Sequence, residues 1–173
     1  MLYKFDGKQP IVGKDTYVSE LATVIGDVVI GSQCYIGHGA ILRGDYGRIE
    51  IGDETAVEEG VIVHAPPGQI NRIGTRVTIG HGAVVHGKLI GDKALIGMGA
   101  ILSVWSEIGE DAVVAEGCVV KMNQIIPPKV VVAGNPAQIV REKNMQDEDI
   151  LKFGNQLYIG LAKKYLDEGM EPV

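Results

Sequence analysis

Residues Ile90 to Ile108 read I-G-D-K-A-L-I-G-M-G-A-I-L-S-V-W-S-E-I. Ile90, Ile96, Leu102 and Ile108 recur every six residues, and Gly follows Ile90, Ile96 and Ile108. Toward the C-terminus the spacing continues through Val114, Val120, Ile126 and Val132. Toward the N-terminus one residue is lost, and then come Val85, Ile79 and Ile73. A loop, A-P-P-G-Q-I-N-R, separates these from Val63, Val57 and Ile51. Beyond a short insertion, Leu42, Ile36, Ile30, Val24, Val18 and Val12 keep the same step. A period this short and sustained marks a parallel β-helix of hexapeptide repeats. A helical reading fails, because apolar residues also sit two places before many repeat positions. Three hexapeptides close one triangular coil, so the series predicts roughly six to seven coils.

The repeat resembles the left-handed β-helix of the hexapeptide-repeat superfamily over most of the chain. V-A-G-N-P-A, residues 132 to 137, reads as a turn with Asn135-Pro136 as breaker. From about Asp147 to Asp167 the spacing becomes helical, with Ile150, Leu151, Leu157, Leu161, Tyr165 and Leu166 in the apolar slots. Gly154 and Gly160 interrupt that pattern. The expected fold class is mainly β: a left-handed parallel β-helix over residues 1–140, and a C-terminal α-helix within 141–173 packed on one of its faces. The two parts are expected to form one domain.

Composition narrows the function. Hydrophobic residues make up 46% of the chain, aromatics only 5%, and Gly contributes 24 of 173 residues. A net charge of −6 with no basic run argues against nucleic acid or an anionic membrane as partner. The N-terminal M-L-Y-K-F-D-G has no apolar signal region, and no stretch is long enough to span a bilayer, so a cytoplasmic location is expected. Cys34 and Cys118 form no disulfide framework and read as reduced core thiols.

The repeat serves as a coordinate system for the histidines. Positions one coil apart lie roughly 4.8 Å from each other at the same corner. Arg43, His64 and His86 each follow a repeat residue (Leu42, Val63, Val85) and should stack in one column. His81 lies two residues after Ile79, at the preceding corner, in a column with His38, Glu59 and Met98. A side of six residues spans roughly 18–20 Å if extended. A zinc–nitrogen bond is only about 2 Å. His81 therefore meets His64 and His86 only if a second copy brings its own His81 alongside, as a three-fold axis parallel to the prism would do. The expectation is a homotrimer with three metal sites at its interfaces. Zn2+ is the expected ion, with Fe2+ or Co2+ also suited to three imidazoles. His38, two coils from His81, is left outside the ligand set.

R-G-D at 43–45, then His64, then His81 and His86 in I-G-H-G-A-V-V-H-G, resemble the γ-class carbonic anhydrases. R-G-D-Y-G-R-I, the short His64–His81 loop and G-N-Q-L-Y near the end look most like the phenylacetate- and carnitine-operon subgroup, some of whose members are regarded as thioesterases. The resemblance implies two histidines from one subunit and one from its neighbour. One stretch departs: where the family carries N-x-Q-D, this chain has A-V-E-E, Ala56 to Glu59. Glu59 keeps a carboxylate, Glu58 replaces an amide by an acid, and Ala56 removes an amide that helps to position water and substrate in the family.

The implied activity is reversible hydration of CO2 to bicarbonate by a metal-bound hydroxide, since zinc lowers the pKa of its water to about 7. Glu58 would take or relay the proton, and Glu59 lies beside the site. Arg43 and Asp45 are expected as an ion pair across the interface, and Arg43 could also steady an anionic product. Tyr158 reads either as a hydroxyl donor closing the pocket or as a core tyrosine. The alternatives are a hexapeptide-repeat acyltransferase or CoA thioesterase, which fold alone does not separate, and a catalytically silent metal-binding trimer.

Overall fold

The computed structural model describes residues 1–171. The last two positions of the expected C-terminal segment, Pro172 and Val173, lie outside the described residues. The chain winds into a left-handed parallel β-helix, one short strand per hexapeptide, and each strand pairs with the one a coil away. On the first face the ladder runs through Leu42, Val63, Val85, Leu102 and Val120. The second carries Ile51, Ile73, Ile90, Ile108 and Ile126. The third carries Val18, Ile36, Val57, Ile79, Ile96, Val114 and Val132. Two longer strands, Thr23–Ile30 and Ile41–Ile51, bend around the corner between the first and second faces.

These repeat residues form the core because alternation along a strand sends one side chain inward and its predecessor outward. Leu42, Val63, Ile79, Ile96 and Leu102 are fully buried in a single aliphatic stack, joined by the free thiols Cys34 and Cys118. Outward neighbours on the first face form a second, half-exposed aliphatic ladder: Ile41, Ile62, Val84 and Ile101, between 37% and 42% exposed.

Two glycines show how the corner at His81 is made. Gly82 has φ +68, a left-handed conformation that Gly adopts at little cost. A Cβ on Gly80 would lie 2.8 Å from the Met98 backbone nitrogen of the next coil, so only Gly lets the coils approach there.

The final strand, Gln138–Glu142, turns back antiparallel on Val130–Ala133. The helix Met145–Glu168 follows, started by a capping box in which Asn144 and Asp147 satisfy each other's backbone N–H groups. It packs on the third face against the strands at Tyr17, Tyr35 and Ala56. Its contact stripe matches the expected one in part: Leu151, Leu161 and Tyr165 face the prism together with Asn155, Tyr158 and Ala162, while Ile150, Leu157 and Leu166 are exposed. The surface beneath is a flat layer of tyrosine rings. Small Ala162 and stacked rings fit it, and Asn155 is drawn in by hydrogen bonds to the Glu54 carbonyl (3.0 Å) and to Thr78 Oγ1 (3.5 Å). No helix among the described residues is long and apolar enough to cross a membrane.

Candidate metal centre

The corner that ends the first face carries Arg43, His64 and His86. Arg43 pairs with His64 across adjacent coils, and Val63 with Val85 one residue earlier. The His64 and His86 rings consequently stack, with centroids 4.7 Å apart and planes inclined by 23°. His64 Nε2 is 3.2 Å from Asp45 Oδ1. His86 Nε2 is buried with no hydrogen-bond partner. A buried, unsatisfied imidazole nitrogen is costly unless something outside the chain occupies it.

Arg43 and Asp45 form an ion pair within the chain, Nη1 to Oδ2 at 2.7 Å. They stand two apart on one strand, so both side chains leave the same side of it. Burial alone would raise the Asp45 carboxyl. Hydrogen bonds from Arg43, the Tyr46 backbone and His64 outweigh it and hold the group below the usual carboxylate range. Burial, followed by the nearby charges of His64 and Arg43, depresses the His86 pKa and favours its neutral, ligand-competent form.

His81 sits at the other end of the first face with a separate set of partners. Its Nδ1 is 2.8 Å from Glu59 Oε2. Its Nε2 is 3.2 Å from Glu58 Oε2 and 3.3 Å from the Tyr158 hydroxyl. Glu58 also accepts the His81 backbone N–H at 3.0 Å. Burial raises the Glu58 carboxyl despite the opposing influence of His81. If Nδ1 carries the imidazole hydrogen toward Glu59, Nε2 and Glu58 Oε2 are two acceptors face to face, an arrangement that calls for a proton or a cation. Burial and the Glu58 charge push the Tyr158 phenol up, keeping it protonated as a donor.

Among the described residues no three His, Cys, Asp or Glu side chains are placed to hold a metal ion within one chain. The structure thus brings His64 to His86, and Glu58, Glu59 and Tyr158 to His81, on two separate corners. Tyr35 escaped the sequence reading although its hydroxyl donates to Glu59 Oε1 at 2.5 Å. A cleft of about 640 Å3 between the helix and the third face, lined by Arg76, Lys93, Lys152 and Asn155 among others, holds none of the histidines.

No family model matches the chain. Individual proteins do. Carnitine operon protein CaiE of Escherichia coli K12 is 37% identical over 148 residues, 86% of this chain and 74% of that protein. The chain belongs to the γ-carbonic anhydrase-like hexapeptide-repeat family. Another relative, the mitochondrial gamma carbonic anhydrase 2 of Arabidopsis thaliana, is 39% identical over 169 residues, 93% of this chain. The chain spans 60% of that plant protein's length. A solved hexapeptide transferase family protein from Anaplasma phagocytophilum superposes with a TM-score of 0.90 at 32% identity, covering 95% of this chain and 97% of that one.

The chemistry of this corner suits a divalent ion: His64 and His86 offer two stacked imidazoles, with His86 Nε2 orphaned. The A-V-E-E departure also acquires a structural meaning. Ala56 does not face His81. It is buried with Tyr17, Tyr35 and Ala162 in the seat of the helix.

Proposed function

We propose that the protein is a γ-type carbonic anhydrase-like metalloenzyme that assembles as a homotrimer and interconverts CO2 and bicarbonate. The observation that carries this reading is the pair of stacked imidazoles with a buried, unpartnered His86 Nε2, in a chain whose described residues do not complete a ligand set alone. His81 of the partner subunit would complete it. The half-exposed ladder Ile41, Ile62, Val84 and Ile101 runs up the face between the two histidine corners and is suited to burial against other copies around a three-fold axis.

Zinc is the favoured ion, with Fe2+ and Co2+ accepted by the same donors, and the bound ion would supply a water acidic enough to ionise near pH 7. The protein's own groups then divide the task. Glu58, buried and raised, takes up and passes on a proton. Tyr158, held protonated, donates a hydrogen bond at the His81 edge. Arg43 steadies anionic product while Asp45 orients both Arg43 and His64. The remaining acid, Glu59, holds His81.

A second reading, a CoA-dependent acyltransferase or thioesterase, is supported by the hexapeptide transferase likeness and by the missing amides at Ala56 and Glu58. Metal analysis of the purified trimer, a CO2 hydration assay and an acyl-CoA consumption assay on the same preparation separate the two. Metal at one ion per interface with CO2 turnover supports the first. Acyl-CoA turnover that survives metal removal, with no CO2 hydration, supports the second. Bound metal with neither activity leaves a silent metal-binding trimer.

A further inference from the structure

Glu59 and Tyr35 stand behind His81 in a line. Tyr35 donates its hydroxyl to Glu59 Oε1 at 2.5 Å, and Glu59 Oε2 lies 2.8 Å from His81 Nδ1. We propose that Tyr35 is a positioning residue for the metal site: by fixing Glu59 it fixes the His81 ring with Nδ1 as the nitrogen bonded to Glu59 and Nε2 as the nitrogen left for the metal. This rests on the ligand set proposed above.

The geometry supports the assignment at each step. A ligating imidazole is held by the hydrogen bond its second nitrogen makes, commonly to a carboxylate. A carboxylate has two oxygens, and it is immobile only when both are engaged. Glu59 has one on His81 and the other on Tyr35, although its side chain is only about two-thirds covered at 35% exposed. Tyr35 is itself fully buried, with Tyr17, Tyr158 and Tyr165 around its ring at centroid distances of 5.7, 5.3 and 6.3 Å. Tyr158 and Tyr165 belong to the C-terminal helix. Docking of the helix therefore clamps Tyr35, and through Glu59 sets a histidine that serves the neighbouring subunit's edge.

The test uses the full-length zinc- and cobalt(II)-loaded protein. Metal release to a chelator and the cobalt(II) visible spectrum are measured for Tyr35→Phe, Glu59→Gln, the double variant, Tyr17→Phe and His81→Ala. Removing a direct partner of a ligating histidine costs about 10–100-fold in metal affinity. Glu59→Gln is expected to speed release in that range, and Tyr35→Phe, one bond further out, by about three- to tenfold. The double variant should match Glu59→Gln alone, because the two residues act in series. The cobalt spectrum should shift in both single variants, and Tyr17→Phe should change neither quantity. Release at the parental rate from Tyr35→Phe, or effects that multiply in the double variant, would overturn the relay while leaving the ligand set standing. Parental metal content in His81→Ala would overturn the ligand set and the relay with it. Should Tyr35→Phe fail to assemble, proton NMR of the unsubstituted protein decides. A far-downfield Tyr35 hydroxyl proton that moves in Glu59→Gln supports the relay, and its absence overturns it.

Discussion

His81→Ala and His86→Ala should each lose most bound metal and yet complement one another when co-expressed. Each variant leaves the proposed site two imidazoles. His64 and His86 share one corner, with rings 4.7 Å apart, whereas His81 is engaged at another corner by Glu58, Glu59 and Tyr158. In a cyclic trimer every interface joins the His64/His86 corner of one subunit to the His81 corner of the next. An interface is intact only when a His81→Ala chain supplies the first corner and a His86→Ala chain the second. Random mixing at equal amounts gives each condition half of the time, so about a quarter of interfaces are restored, one in every mixed trimer and none in a pure one. The assay is zinc per trimer in co-expressed protein, with differently tagged chains to isolate mixed trimers, against the two variants expressed apart. Tandem-purified mixed trimers should hold about one zinc each, by the same closed-symmetry argument. No recovery in such trimers would refute a site shared between subunits.

Glu58→Gln, which returns an amide to the position where the family carries one, should change CO2 turnover while metal content by elemental analysis stays at the parental level, since Glu58 contacts His81 and is not proposed as a ligand. Asn155→Ala removes the donor to the part-buried Glu54 carbonyl and should cost about 1–3 kcal/mol, read as a fall of several degrees in Tm with loss of helix first. Asp147 is held well below the ordinary carboxylate range by its hydrogen bonds from Arg141 and the Asn144 backbone. A depressed folded-state pKa contributes stability above the unfolded value of about 3.9 and loses it as pH falls below that. Asp147→Asn should therefore flatten the acid limb of the helix circular-dichroism signal below about pH 4 while lowering the signal's thermal midpoint at neutral pH.

The repeat made much of this molecule legible in its amino-acid order. A period of six with one inward aliphatic per step leaves no freedom in which residue faces the core. Counting corners therefore sufficed to stack Arg43, His64 and His86 and to set His81 apart, as the strand pairings have it. Register is set locally, because each coil takes it from the coil before. Outward-facing side chains obey no such rule. Tyr35 and Ala56 occupy ordinary outward positions in the repeat; side-chain direction in three dimensions makes one a hydrogen-bond donor to Glu59, and the docked helix buries both. The helix itself was readable from its spacing, and so were Leu151, Leu161 and Tyr165 on its packed side, but the rest of its buried stripe was not. Hydropathy also favoured Ile150, Leu157 and Leu166, which are exposed, whereas the surface beneath selected Asn155 and Ala162 for hydrogen bonding and fit. Arg43 and Asp45 were visible as a charged pair. That they close on each other within one strand, with Asp45 reaching on to His64, was decided by side-chain direction in three dimensions. Backbone register follows from a repeating covalent pattern, while contacts between elements far apart in the chain depend on shapes that exist only after those elements have met.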